Sequence, residues 1–396
     1  MKELIRKCPI CSSEYGDTYK TIRMELPQGV KLPNEYDVVT CDNCGFAYAD
    51  VKASQEIYNA YYACNNMYSA DAALKEKIVN ITAERRGDFF ERYISKKAKI
   101  LDIGCGSGAL LIALKDRGFC NLFGMDPSQE SINIVREHGI NAKVGNVFDE
   151  ASEELAQTFD IVCFTAVLEH VYELNECIEH LRNYLAKDSR IYLSVPSVEE
   201  FGKKYRPLAH YFNHEHINYF SPVSLDNLMG QHGFSAETRQ LDEHCDETKM
   251  AELEMDISCL YEYVGDKAKS QISKDEIARD SILKYLEMEK ENEERIYNRI
   301  LDFVMSNSQK IIIWGTGAYT LQIIANIPQL SDRVLFFVDS NPLKTGKKIA
   351  GKEVVLPCKI ATEDDAHPIM ICAMRGAKDI EKTIHEMKIK NKYIVI

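Results

Sequence analysis

The stretch from Ile100 to Asp126 constrains the fold of this chain more than any other. It reads ILDIGCGSGALLIALKDRGFCNLFGMD, in which a short apolar run ends in three alternating glycines, Gly104, Gly106 and Gly108. An amphipathic segment follows, and then a second apolar run that ends in the acid. This order predicts a strand, a tight glycine turn, a helix and a strand, which is the first half of a nucleotide-binding α/β unit.

The glycine turn and the acid suit a nucleoside ligand. Glycine lets the backbone turn sharply and approach a ligand with no Cβ in the way. Asp126 lies about 20 residues beyond the turn, where a carboxylate accepts the hydroxyl protons of a ribose. Gly104, Gly106 and Ala109 also satisfy a loose GxGxxG/A pattern. The loop alone therefore leaves both NAD and S-adenosylmethionine (SAM) open.

Three observations favour SAM. Gly108 makes the loop GxGxG, which suits a ligand with no pyrophosphate to seat on the helix. Further strands are expected before GNVFDE (145–150), in FDIVCFTAVLEHV (159–171) and in RIYLSVPS (190–197). This ordered series resembles the class I methyltransferases, and the resemblance implies an α/β, Rossmann-like, SAM-binding core. The cofactor-binding residues are then expected to be Asp102, Gly104, Cys105, Gly106, Gly108, Asp126, Pro127, Asn146, Val147 and Thr165.

Length and charge bound the class of protein. A chain of 396 residues is long enough for two or three domains. Its net charge is −13 and it has no long basic run, which argues against nucleic acid or an anionic membrane as partners. It has no apolar run of membrane-spanning length and no apolar signal core, so we expect a cytoplasmic protein. Its 13 cysteines are then thiols or metal ligands.

Two CxxC pairs near the N-terminus predict a metal site. Cys8 and Cys11 form the first pair, and Cys41 and Cys44 form the second. Each pair can place two thiolates on one turn, and two such turns can close a tetrahedral site. We expect a structural Zn²⁺ with no open position for chemistry. The alternative is four unrelated buried thiols.

Two residues are expected at the methyl end of the donor. Residues 54–92 are predicted to be helical and to cover the cofactor, and Tyr68 is our candidate for a residue that faces it. His170, after the fourth strand, is the other, with a packed structural histidine as its alternative. The same helical segment carries tyrosines that we interpret as a packing face: Tyr58, Tyr61 and Tyr62.

The most unusual stretch is HYFNHEHINYFSP, residues 210–222. Because it follows the fifth strand, it is expected over the carboxyl ends of the strands, where open α/β sheets bind ligands. We interpret Glu215 and His216 as a catalytic pair in which the carboxylate orients an imidazole that accepts a proton. His210 and His214 are interpreted as structural. A second metal site and a surface pair with no chemical role are the alternatives.

The C-terminal third repeats the first pattern in weaker form. Residues 242–309 are polar, acidic and poor in glycine and proline, which predicts a helical connector. From Lys310 the sequence KIIIWGTGAYTLQIIANI again indicates strand, glycine turn and helix, and the next strand ends in Asp339. The third glycine of a dinucleotide fingerprint is missing, so we expect no second cofactor here. The unit is either a wall for the acceptor or a packing module.

The three parts together resemble the sugar C-methyltransferases of deoxysugar biosynthesis. The matching motifs are CPIC and CDNCGF, LDIGCGSG, LEH, the EH of HEHINYF, and IWGTGA with VDSNPLKTGKKIAG. The resemblance implies a zinc-binding domain over 1–53, a methyltransferase core with lid helices over 54–241, a connector over 242–309 and a Rossmann-like domain over 310–396. It places the zinc ligands on Cys8, Cys11, Cys41 and Cys44, and the catalytic residues on Tyr68, His170, Glu215 and His216.

The same resemblance implies a substrate and a reaction. The substrate is a small molecule, a nucleotide-linked 4-keto sugar, methylated on carbon by a monomer or homodimer. Asn213 stands where the family places a tyrosine, so O-methylation of a sugar of a glycan, capsule or natural product stays open. An NAD-dependent oxidoreductase and a non-catalytic zinc-ribbon adaptor are further alternatives.

Overall fold

The computed structural model describes residues 2–64, 72–203, 205–241, 255–265, 271–362, 365–374 and 376–396. Tyr68, our candidate on the lid segment, lies outside these residues. None of the helices in the described ranges is both long enough and apolar enough to cross a membrane.

The N-terminal sheet is antiparallel and is completed from far along the chain. Its strands are β1 (Lys2–Glu3), β2 (Tyr15–Arg23), β3 (Glu35–Cys41), β4 (Ala47–Asp50) and β10 (Asn218–Tyr219). They pair in that order, and Asn218 lies opposite Tyr48. Because β10 lies within the histidine-rich stretch 210–222, pairing with β4 ties that stretch to the N-terminal sheet.

Two helices precede the central sheet, as the sequence predicted. They are α1 (Gln55–Cys64) and α2 (Ala72–Tyr93). The buried rings of Phe89 and Phe90 lie with their centroids 5.1 and 4.8 Å from that of Tyr192 on the sheet. This aromatic contact fixes the C-terminal end of α2 against the sheet.

The central sheet has seven strands. Its strands and helices in chain order are β5 (Lys99–Ile103), α3 (Ala109–Asp116), β6 (Asn121–Asp126), α4 (Gln129–Glu137), β7 (Asn141–Val144), β8 (Phe159–Thr165), α5 (Leu174–Leu181), β9 (Leu185–Pro196), α6 (Leu208–Tyr211), α7 (Pro222–Gln231), β11 (Phe234–Leu241) and β12 (Asp256–Tyr263). The spatial order is β11-β12-β9-β8-β5-β6-β7, and β12 alone is antiparallel to its neighbours. This confirms the α/β core and the strands expected from the sequence. The carboxyl ends of β5, β6, β8 and β9 share one edge, where ligands bind in open α/β sheets.

The expectation of a purely helical connector over 242–309 is wrong. Asp256–Tyr263 is a strand inserted between β9 and β11, so the central sheet extends beyond residue 241. Six of its eight residues are buried, because both neighbouring strands and a helical layer cover it. The rest of the segment is helical, as expected: α8 runs from Ile277 to Met305. The predicted domain limits themselves stay predictions.

A third sheet occupies the C-terminal part. Its strands and helices are β13 (Ile311–Trp314), α9 (Ala318–Asn326), α10 (Pro328–Arg333), β14 (Val334–Val338), β15 (Lys348–Ile349), β16 (Lys352–Val355), β17 (Ile369–Ile371), α11 (Ala377–Glu386) and β18 (Tyr393–Val395). The order is β15-β16-β14-β13-β17-β18, and all pairs except β15 with β16 are parallel. Helix α9 packs on the histidine-rich stretch, since the Gln322 side chain donates to the Phe212 carbonyl at 2.6 Å.

Candidate active site and cysteine cluster

The three glycines after β5 serve different purposes. All have positive φ, at +74° for Gly104, +52° for Gly106 and +84° for Gly108. A Cβ on Gly104 would lie 2.6 Å from Val167 Cγ2, and one on Gly108 would lie 2.8 Å from Val135 Cγ2. A Cβ on Gly106 would meet nothing within 4 Å. The outer glycines therefore allow close packing, and the middle one borders open space that fits a ligand.

Asp126 lies at the end of β6 and faces this turn. Its carboxylate accepts hydrogen bonds from the backbone N–H groups of Gly106 and Ser128, both at 2.9 Å. Burial raises the pKa of the Asp126 carboxyl, and the two N–H groups act against that rise. The sequence prediction placed this acid beside the glycine bend, and the structure finds it there. Its remaining lone pairs are available to a diol.

Asp102 is the second acid behind the turn. It is 1% exposed, and neither carboxylate oxygen has a hydrogen-bond partner among the described residues. Burial raises the pKa of Asp102 to about 7; Arg86 opposes this rise and Asp126 adds to it. A buried carboxylate without a partner is costly. A cationic ligand such as SAM fits that need, so the residues present fit the cofactor expected from the sequence.

Other residues expected at the cofactor line the same edge. Val147 is buried and Pro127 and Thr165 are partly buried. The Asn146 side chain accepts from the Phe148 N–H at 2.8 Å, which shapes the turn after β7. Cys105 is buried, and an ideal Cβ on Gly124 would lie 2.9 Å from its sulfur. Its side chain therefore packs between the first two parallel strands.

Arg86 is a residue that sequence reasoning missed. From α2 it donates to Ser194 Oγ at 3.1 Å and to Asp256 Oδ2 at 3.0 Å. The pair is nearly buried, with the Arg86 side chain 13% and the Asp256 side chain 9% exposed. It ties the lid helix to β9 and β12 behind Asp102. No local motif signals it, since its partners lie more than 100 residues away.

His170 and His216 come together above this edge. His170 ends a short 3₁₀ turn, Leu168–His170, which follows β8. Its ring centroid lies 4.8 Å from that of His216. The preceding Val167 packs over Gly104, so the histidines sit close to the glycine turn. The structure thus brings together two of the residues expected at the chemistry, from segments 45 or more residues apart.

Glu215 has different contacts from those expected. Its carboxylate accepts from the Tyr61 hydroxyl at 2.7 Å and lies 3.9 Å from His214 Nε2. Although burial acts in the other direction, His214 and the Tyr61 hydrogen bond hold the pKa of Glu215 below its usual value. Burial lowers the pKa of His214, and Glu215 opposes that change. The carboxylate is therefore held by Tyr61 and His214, where the sequence suggested that it orients His216.

Asn213 gives this stretch its shape. Its side-chain oxygen accepts from the N–H groups of both Glu215 and His216 at 2.9 Å. The residue that departs from the sugar C-methyltransferase pattern therefore caps a turn and presents the two next side chains. It acts on their backbone and leaves the imidazole of His216 to face His170.

Tyr61 and Tyr62 were expected in a packing face, and the structure corrects this interpretation. Tyr61 contacts Glu215 as above, and its hydroxyl lies 3.2 Å from His214 Nε2. The Tyr62 hydroxyl lies 2.9 Å from His170 Nδ1. Both rings therefore belong to the candidate site. Tyr58 is 1% exposed and stacks on Tyr172 with the centroids 6.2 Å apart, as a packing residue does.

The four predicted metal-binding cysteines form one cluster. Cys8 and Cys44 sulfurs are 3.5 Å apart, Cys11 and Cys41 sulfurs are 3.4 Å apart, and all four lie within 4.8 Å of one another. A zinc ion with bonds of about 2.3 Å to four sulfurs needs sulfur–sulfur spacings of about 3.8 Å. The donor set and spacing fit Zn²⁺, as the two CxxC pairs predicted.

Arg6 connects the cysteine cluster to the histidines. It lies two residues before Cys8, is 3% exposed, and stacks its guanidinium 4.4 Å from the Tyr172 ring centroid. It donates to the carbonyls of Val171 at 3.4 Å, Tyr172 at 2.5 Å and Ile217 at 3.3 Å. These carbonyls follow His170 and His216 directly, so Arg6 positions the backbone of both.

Comparisons with known proteins agree with this description of the core. Residues 77–238 match the family described as a methyltransferase domain. Together with the glycine turn and strand order, this makes that part of the chain a class I SAM-dependent methyltransferase domain. Residues 307–395 match a second family, described as C2185-like, N-terminal.

The chain is similar to ubiquinone biosynthesis O-methyltransferases over part of its length. It is 28% identical over 157 residues to the mitochondrial protein of Mus musculus, covering 35% of this chain and 42% of that one. With the Neisseria meningitidis protein it shares 25% over 177 residues, covering 40% and 74%. The chain thus spans less than half the length of the mouse relative.

Among solved structures, magnesium protoporphyrin IX methyltransferase from Synechocystis PCC 6803 with bound SAM aligns at a TM-score of 0.39 and 14% identity. The alignment covers 54% of this chain and 98% of that one.

Proposed function

We propose that the protein transfers the methyl group of SAM to a carbon next to a keto group, in a nucleotide-linked 4-keto sugar. The observation that carries this proposal is the contact between the two halves of the site. Val167 packs over Gly104 of the cofactor turn, and His170, three residues later, faces His216. Imidazoles thus lie beside the turn at which a methyl donor is expected.

SAM supplies an activated methyl group when bound. Gly106 leaves space at the turn, and Asp126 would accept hydrogen bonds from a ribose diol there. Asp102 supplies a buried negative charge to a cationic ligand. Because the donor is already activated, the main task of the protein is to hold donor and acceptor in line.

A carbon acid needs a base and a group that stabilises the enolate. In the proposed reaction His216 takes the proton from the carbon. Its imidazole is partly exposed, and Asn213 positions its backbone by accepting a hydrogen bond from the His216 N–H. His170 is held through its Nδ1 by Tyr62 and the Glu215 carbonyl, and the Nε2–H of the imidazolium form donates a hydrogen bond to the oxygen that gains charge. Although burial acts in the other direction, His214 and the Tyr61 hydrogen bond hold the pKa of the nearby Glu215 carboxyl below its usual value, so a negative charge lies close to the imidazoles.

O-methylation is the second candidate. The relatives that match the core are named as O-methyltransferases, and Asn213 replaces the family's tyrosine. In that reaction the same imidazole takes a hydroxyl proton. The acceptor stays within the class of sugars carried by a nucleotide, and the difference lies in the atom that is methylated.

Isotope exchange tests the choice between the two reactions. The protein is incubated with SAM and nucleotide-linked 4-keto sugars in deuterated water, and the products are read by mass spectrometry and NMR. Deuterium in the sugar ring and a new carbon–carbon bond are the expected results. Methyl transfer to hydroxyl oxygen without ring exchange would replace C-methylation by the second candidate, and no transfer to any such sugar would overturn both.

The cysteine cluster is proposed to hold one structural Zn²⁺. All four protein ligands are present, so no position is left for a substrate. Elemental analysis of the purified protein should give one zinc per chain, and Co²⁺ substitution should give the intense absorption of thiolate ligation. A chain with no bound metal but full stability would contradict this role. Cytoplasmic location and oligomeric state stay predictions.

A further inference from the structure

Glu169 is a buried acid whose chemistry the proposed reaction does not use. It is 2% exposed, and its Oε2 has no hydrogen-bond partner in the described part of the chain. Its Oε1 lies 3.9 Å from His170 Nε2, too far for a hydrogen bond. Such a carboxylate is costly unless something positive binds it.

The tautomer of His170 leaves a lone pair facing this acid. Its Nδ1 lies 2.9 Å from the Glu215 carbonyl oxygen, which can only accept, so Nδ1 carries the proton. In the neutral ring Nε2 is then an unprotonated nitrogen. A backbone carbonyl that fixes one imidazole nitrogen so that the other can bind a metal is a common arrangement around protein metal ions.

The space between these atoms suits a cation. A nitrogen lone pair and a carboxylate oxygen repel each other when nothing lies between them. Bonds of about 2.1 Å from a metal to nitrogen and to oxygen can bridge up to about 4.2 Å, which accommodates the 3.9 Å between His170 Nε2 and Glu169 Oε1. The distance between His170 Nε2 and Glu169 Oε1 is thus too long for a hydrogen bond and suitable for a bridging metal ion.

His216 completes the set of donors. One donor atom each from Glu169, His170 and His216 lie within 4.8 Å of one another. The two imidazoles come from different segments, and the backbone fixes both: Asn213 caps the turn before His216, and the Glu169 carbonyl accepts from the Ile217 N–H at 2.8 Å. Two imidazoles and one carboxylate are a donor set that zinc, iron(II) and manganese(II) accept in proteins.

We propose that Glu169, His170 and His216 bind one divalent transition-metal ion, separate from the cysteine cluster. Three protein ligands leave positions open for an oxygen of the acceptor. The consequence for catalysis rests on the proposed function: the ion polarises the keto or hydroxyl oxygen of the acceptor, and so lowers the pKa of the proton that must leave. In the metal-loaded protein His216 is a ligand in place of a proton acceptor, the ion stabilises the developing anion, and the proton passes to water at the partly exposed site.

Manganese binding tests the site without reference to activity. The full-length protein, with elemental analysis showing one zinc per chain so that only the cysteine cluster is filled, is titrated with Mn²⁺, and free Mn²⁺ is measured by electron paramagnetic resonance. One Mn²⁺ per chain is expected to bind. Glu169→Gln, which keeps the shape and removes the charge, should weaken binding at least tenfold, and His216→Ala should do the same. Glu173→Gln is the matched control, since this acid lies on the same loop and is exposed, and its affinity should equal that of the wild type.

Two results would overturn the site: no binding of Mn²⁺ by the wild type up to millimolar concentration, or equal affinity in Glu169→Gln. If Glu169→Gln fails to fold, as judged by circular dichroism, Glu169→Asp serves instead, and unchanged affinity there counts against the site. Methyl transfer is assayed separately on the same samples. Transfer without Mn²⁺ binding removes the metal site alone, and Mn²⁺ binding without transfer removes the proposed function alone.

Discussion

The chain contains the pattern of strand, glycine turn, helix, strand and acid twice, and the two acids have opposite surroundings. Asp126 accepts two backbone N–H bonds, and burial raises its pKa. Asp339 accepts from Thr316, from the Asn341 N–H at 2.9 Å and from Lys344 at 2.9 Å. Although burial acts against it, Lys344 and Thr316 hold the pKa of Asp339 below its usual value.

The difference separates an acid with hydrogen-bonding capacity left for a ligand from one that its own chain satisfies. The Asp339 carboxylate is already occupied by Thr316, the Asn341 N–H and Lys344. It therefore has no hydrogen-bonding capacity left for a ribose. Asp126 keeps lone pairs for such a contact, and Asp102 has no hydrogen-bond partner among the described residues, at a cost to stability. Under the proposed function, the same sequence pattern would serve binding in one unit and structure in the other.

The largest expected effect tests whether methyl transfer depends on the methyltransferase core and not on the C-terminal unit. His216→Ala should lower turnover by about 10²–10⁴-fold, because it removes the proposed proton acceptor or metal ligand. Affinity for S-adenosylhomocysteine should change little. The control is His385→Ala on the exposed face of α11 in the second unit. Near wild-type turnover in His216→Ala would remove this residue from the mechanism.

Asp126→Asn should weaken binding of S-adenosylhomocysteine by about 10–100-fold, the loss expected for hydrogen bonds to a charged group. Asp339→Asn should leave this affinity unchanged. Isothermal titration of both variants gives the answer. Equal losses in the two variants would mean that the second turn also contributes to the donor site.

Lys344→Met should destabilise the second unit by about 1–3 kcal/mol, because Asp339 then stays buried without its cation. Lys347→Met, on the exposed neighbouring residue, is the matched control and should have little effect. Since the folded pKa of Asp339 is depressed, its contribution is present above the unfolded value near 3.8 and is lost as the pH falls below that. Urea unfolding at pH 7 and at acidic pH measures both effects.

Asp102→Asn should have the smallest effect, and of opposite sign: the unliganded protein should gain about 1–2 kcal/mol at pH 8. The folded pKa near 7 exceeds the unfolded value of 3.8, so the wild type gains stability from this group as the pH falls from 7 toward 4. The advantage of the variant should shrink over that range. Thermal unfolding of both proteins as a function of pH measures this stability difference. A variant less stable than the wild type at pH 8 would show that Asp102 has a structural role.

The sequence was sufficient wherever contacts are local. The glycine turn, Asp126 and the CxxC pairs were predictable because each depends on residues in one short motif. Tyr61, Tyr62, Arg86 and Arg6 were not, since their partners lie 108 to 211 residues away. Strand β12 was missed for a related reason: its polar, glycine-poor surroundings indicate helix, and only the neighbouring strands make it part of a sheet.

The late arrival of β10 has a consequence for how the protein is made on the ribosome. Arg6 and strands β1 to β4 leave the exit tunnel before β10 and before Ile217, whose carbonyl lies 211 residues beyond Arg6 in the sequence. Until about residue 219 has emerged, β4 is an unpaired edge of the N-terminal sheet. Arg6, which is buried in the folded protein, is still exposed to water. Binding of the proposed Zn²⁺ at this stage would hold the nascent sheet in shape, and the cluster would then act during synthesis as well as in the finished protein.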